Sequence, residues 1–98
     1  IKESGDDSLT IYANQRTSIM GGNVGVSTTT PDPSSSLDVS STTKGFLPPR
    51  MTTAQMHSIT SPAEGLMVYN ISTKSMYFYD GTAWNKLYNN DGTPSDPI

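Results

Sequence analysis

The sequence predicts a mainly β fold: an elongated region of short, intertwined strands, followed by a small knob of one short helix and a three-stranded meander. Three observations point there. Apolar and polar residues alternate in short runs, the period of two that gives a strand one buried face. Serine and threonine supply 27 of the 98 residues, while the Leu/Ala/Glu/Lys runs that favour helix are missing. Six of the eight aromatic residues fall between positions 69 and 88, so the denser packing belongs to the C-terminal half. Leu, Ile, Val and Phe number only 17, but the net charge of −3 is too small for disorder to be the natural reading. An ordered chain with so little apolar material buries the remainder against copies of itself.

The elements follow in order. Residues 1–8 are polar and read as a loop or the trailing edge of an upstream module. Because the chain starts at Ile1, it reads as a piece of a longer or processed polypeptide. In LTIYAN (9–14), Leu9, Ile11 and Ala13 point one way and Thr10, Tyr12 and Asn14 the other, predicting a strand. Gly21-Gly22-Asn23 is a turn signal, with Gly25 assigned to turn formation as well. Val24 and Val26 flank Gly25 in a very short strand, and LDVSS (37–41) makes another. Between them, Pro31 and Pro33 keep the connector extended and exclude helix. Residues 1–44 therefore read as a short-strand shaft.

GFLPPRM (45–51) reads as a joint. Gly45 lets the chain leave the strands, Phe46 and Leu47 plug into apolar surface, and Pro48-Pro49 hold an extended path at low entropic cost. Arg50 is a peg that pairs with a carboxylate or carbonyls, on a neighbouring chain if not its own. The knob spans 52–88. Thr52 with Gln55 three residues on is a capping-box pattern, and Met56 and Ile59 share one face of a two-turn helix stopped by Ser61-Pro62. LMVYNI (66–71), MYFYD (76–80) and TAWNKLY (82–88) are the meander strands. A loop at 71–75 and the Asp80-Gly81 signal supply its hairpins. Residues 89–98 are turn-rich and read as a tail or linker.

The stretch GNVGVSTTTPDPSSSLDVSSTTKGFLPPRMTTAQ, continuing to SPAEGLMVYNISTKSMYFYDGTAWNKL, resembles a module that recurs in surface proteins of Bacteroidota and in fibre proteins of their phages. The resemblance covers about residues 21–87. Its GNVG, TP and LDV parts are similar to the trimeric shafts of phage tail fibres. Ser27 stands where the module usually has glycine, and Met56-His57 where it usually has arginine and a polar residue. Neither departure is expected to remove a backbone-critical feature. The resemblance implies a homotrimer, where the residues alone imply only an oligomer. It also implies a structural component of a phage tail or head fibre or spike, located on the virion. Its partners would be itself, other virion structural proteins and a host-surface glycan or protein. A Bacteroidota cell-surface adhesin module and a glycan-binding receptor-recognition domain are the alternatives.

The chemistry-bearing residues agree with a non-enzymatic role. No base accompanies a nucleophile: His57, the only histidine, sits on the short helix. The carboxylates are scattered among turns, where Asp mostly bonds its own backbone. GGNVG lacks the helix and lysine of a phosphate cradle. With no cysteine and no EF-hand-like spacing, neither a metal nor a cofactor is expected. The mild acidity gives no footprint for nucleic acid, and no apolar run approaches the roughly 18 residues of a membrane span. Tyr77, Tyr79, Asp80 and Trp84 are the candidates for glycan contact, against packing in the core or interface as their other use. Asn70-Ile71-Ser72 is a sequon that arises often by chance.

Overall fold

Val24, Val26, Leu37 and Val39 alternate with Gly25 and Asp38, and the computed structural model, which describes residues 8–88, pairs them as parallel strands. Strand β1 (Val24–Val26) lies beside β2 (Leu37–Val39), with Val24 opposite Leu37 and Val26 opposite Val39. A parallel pair needs a crossover, here residues 27–36. That crossover is tied down by two aspartates. Asp38 Oδ2 accepts from the Asp32 N–H at 2.9 Å, and Asp32 Oδ1 accepts from the N–H and hydroxyl of Ser34 at 2.9 and 2.6 Å. The crossover passes over the Gly25 side of the pair. A Cβ on Gly25 would lie 2.5 Å from the Thr28 carbonyl oxygen. Gly25 is therefore a close-approach glycine inside a strand rather than the expected turn residue; the turn is made at Gly21, with φ of 114°.

The chain divides into two compact units, Ile1–Lys44 and Gly45–Ile98. In the first, the expected strand at 9–14 does not form: Leu9, Ile11 and Tyr12 are exposed and unpaired with any strand. Alternation marks a face that needs cover, but a ladder also needs a partner, and the described residues of this unit supply none. The polar start and the 89–98 tail lie outside the described residues, apart from Ser8.

In the second unit, the capping box forms as the spacing requires. The Gln55 N–H donates to Thr52 Oγ1 at 3.2 Å, and the Thr52 N–H donates to Gln55 Oε1 at 2.9 Å. Helix α1 (Thr53–His57) is shorter than the expected two turns. Ser58 ends it by directing both its N–H and its hydroxyl to the Ala54 carbonyl, well before Pro62. The antiparallel meander follows: β4 (Met67–Asn70), β5 (Ser75–Tyr79) and β6 (Trp84–Lys86).

The sheet has four strands where three were expected. Arg50–Met51 forms β3, parallel to β4, with Arg50 opposite Tyr69 and Met51 opposite Asn70. Pro49 extends the pairing by accepting from the Tyr69 N–H at 2.9 Å, a role that needs no N–H of its own. The end of the expected joint is thus an edge strand of the sheet, in the order β3-β4-β5-β6.

Candidate assembly interface

The register sorts the sheet side chains onto two faces. Met51, Val68, Asn70, Ser75, Tyr77, Tyr79, Trp84 and Lys86 share one; Arg50, Met67, Tyr69, Met76, Phe78 and Asn85 share the other. Helix α1 covers the first face through Met56, whose sulfur lies 3.9 Å from Asn70 Nδ2. Met56 and Val68 are each 2% exposed and Asn70 is fully buried. These two hydrophobic side chains are the whole buried apolar core among the described residues.

Among the described residues no helix covers the second face, although Asn85, opposite Phe78, is only 8% exposed. Phe46 and Leu47 are 70% and 66% exposed, and Met67 is 48% exposed. With Pro48, Arg50, Tyr69 and Met76, Phe46 and Leu47 line a hollow of about 480 Å³. The structure thus brings four of the five predicted joint residues together with two sheet residues that sequence reasoning had not linked to them; Pro49 contributes through its backbone. Among the described residues, the Arg50 side chain has no hydrogen-bond or ion-pair partner in its own chain. In the N-terminal unit, Val26, Leu37 and Val39 form a smaller exposed apolar strip on the side of β1–β2 away from the crossover.

The glycan candidates do not form one platform. Tyr79 and Trp84 pack edge to face, with centroids 5.4 Å apart at 68°. Together with His57, Ile59, Pro62, Thr82 and Ala83 they line a hollow of about 400 Å³. Tyr77 lies half-buried on the same sheet face but outside that hollow. Asp80 is occupied by its own turn, accepting from the N–H groups of Thr82 (2.7 Å) and Ala83 (2.8 Å) and from Asn85 Nδ2 (2.8 Å). Those bonds, the Ala83 one foremost, hold its carboxyl below the usual carboxylate range. Asp32 is lowered in the same way, by the Ser34 hydroxyl first and the Ser34 N–H second.

Asn70 is the organising residue that sequence reasoning missed. Its Oδ1 accepts from the N–H groups of Ser72 and Thr73 at 2.9 and 3.1 Å, so the amide of the chance sequon is consumed in the core. An Asn at a strand end followed by Ser-Thr is the signal of a side chain closing its own turn. Among the described residues, no three His, Asp or Glu side chains gather as metal ligands would, and no helix is long and apolar enough to cross a membrane.

No curated protein and no solved structure matches the chain. A family model does: that of a phage tail-like trimerisation region matches residues 25–96. The matched segment runs from β1 through β6 and takes in both exposed apolar surfaces. Since it spans well over half of the sequence, the chain belongs to the family of phage tail-like trimerisation regions.

Proposed function

We propose that this chain is a non-enzymatic segment of a phage tail fibre or spike that works as a homotrimer. It holds three polypeptides in register, joins other virion structural proteins and forms part of the apparatus that attaches the particle to a host-surface glycan or protein. The observation that carries the reading is the match to a trimerisation region across both uncovered apolar surfaces. A chain whose described residues bury only Met56 and Val68 as apolar core is short of stabilisation by itself. Each large apolar side chain moved from water into an interface contributes roughly 1.5–3 kcal/mol, and a trimer gains that three times over. The same match favours the virion over a bacterial cell surface as the location. Native mass measurement tests the reading: a mass three times that of one chain is expected, and a stable monomer overturns it.

The Tyr79–Trp84 hollow supports a second, compatible role as the place where a host sugar is contacted. Trp84→Ala is then expected to abolish binding on a glycan array while the trimer persists. An array with no wild-type binding removes this role and leaves the trimer reading untouched.

A further inference from the structure

Building on the trimer reading, we propose which surface makes the assembly: the sheet face carrying Tyr69, Met76 and Phe78, with Phe46 and Leu47 beside it, meets the same face of two other copies around a threefold axis. The sheet has two faces, and helix α1 packs on the one that carries Asn70, so among the described residues the opposite face is the one no helix covers. Its composition is that of an interface core, with aromatic residues, methionine and arginine and few other charges. Arg50 is the only charged residue at its strand positions, while Lys86 belongs to the opposite face. Phe46 and Leu47 extend the apolar surface beyond the sheet, Met67 adds to it within β4, and exposed patches of this kind are rare on soluble monomers.

The occupant is a second copy because the matched trimerisation region contains every one of these residues. Around a threefold axis each pairwise contact is heterologous, but side chains close to the axis meet their own equivalents in the other two copies. Arg50 sits on the edge strand, so three guanidinium groups would lie at the margins rather than stacked on the axis. There, a side chain without a partner in its own chain reaches a neighbour's carboxylate or carbonyl.

The absence of cysteine allows a clean test in the full chain. Met76→Cys and Phe78→Cys place a thiol on the proposed face, and His57→Cys and Thr82→Cys on the side of the other hollow. Under mild oxidation the first two are expected to give covalent chain pairs within the trimer, and the last two single chains. The reverse pattern in an intact trimer overturns the face and spares the trimer reading, whereas a monomeric wild type overturns both. Met76→Glu is expected to raise the concentration at half-assembly at least about 30-fold, the size of a hot-spot loss, and His57→Glu to leave it unchanged. An unchanged value for Met76→Glu also overturns the proposal.

Discussion

Asn70 and Thr53 join sheet to helix: from a position with no solvent exposure, the Asn70 side-chain Nδ2 donates to Thr53 Oγ1 at 3.0 Å. The same amide accepts from two N–H groups of the loop that follows, so one side chain closes the β4–β5 hairpin and seats the first turn of α1. Asn70→Leu keeps the branched outline with bulkier methyl groups, but strands the Ser72 and Thr73 N–H groups and the Thr53 hydroxyl. Unsatisfied groups of this sort cost about 1–3 kcal/mol each when buried. These are only partly buried, so a loss of about 2 kcal/mol is expected in denaturant unfolding at fixed protein concentration. A loss within error of zero would mean that water replaces the amide without cost.

How much of this was legible in the sequence depended on range. The capping box and the Asp80-Gly81 hairpin were readable because each rests on two side-chain signals at fixed short spacing. The period of two in MVYN and SMYFY showed that there are two faces. It could not show which one is covered, because that is decided by where α1 returns. Arg50–Met51 escaped notice because two residues carry no period and the prolines before them argue against a strand. Leu9 and Ile11 carry a strand pattern with no partner strand among the described residues. Phe46 and Leu47 were legible as apolar outliers, but their proximity to Tyr69 and Met76 comes from the parallel β3–β4 pairing, a contact across 19 residues of sequence.

Gly25 tests the N-terminal unit. Any side chain there meets the Thr28 backbone oxygen at 2.5 Å and the Thr28 Cγ2 at 3.0 Å, and the crossover must move to admit it. Gly25→Ala is expected to cost about 1–3 kcal/mol, the range for forced overpacking. Gly22 is the control, because a Cβ there meets nothing within 4 Å and needs no left-handed φ. Gly22→Ala is expected to leave the melting temperature unchanged or slightly raised. Equal effects of the two substitutions would refute the close approach.

Ser27, at φ of 61°, sits in the left-handed region, and so the module's usual glycine at this place has a physical reason after all. The left-handed conformation costs an L-residue roughly 1–2 kcal/mol. Glycine removes that strain but adds about 0.4–1 kcal/mol of unfolded-state entropy. The strain is the larger of the two, so Ser27→Gly is expected to stabilise by about 0.5–1 kcal/mol, and Ser27→Val to destabilise. A fall in melting temperature for the glycine variant would show that the serine is held there by something other than tolerance.

Acid sensitivity follows from the two aspartates held by their own turns. Asp80 and Asp32 both have carboxyls lowered from the ordinary 3.8 by hydrogen bonds that only the ionised form accepts fully. A group lowered on folding contributes stability that is complete above its unfolded value and is lost as pH falls through the folded one. Thermal melts are therefore expected to be flat from neutral pH down to about 5 and to drop below about 4. Both carboxylates are solvent-exposed, so the contribution of each is small and screened by salt. Asp80→Asn retains an acceptor for the Thr82 and Ala83 N–H groups but no longer titrates, and should flatten the acid limb. If that variant loses stability in acid as steeply as the wild type, the titrating groups lie elsewhere and the Asp80 turn is not the acid-sensitive element of the sheet.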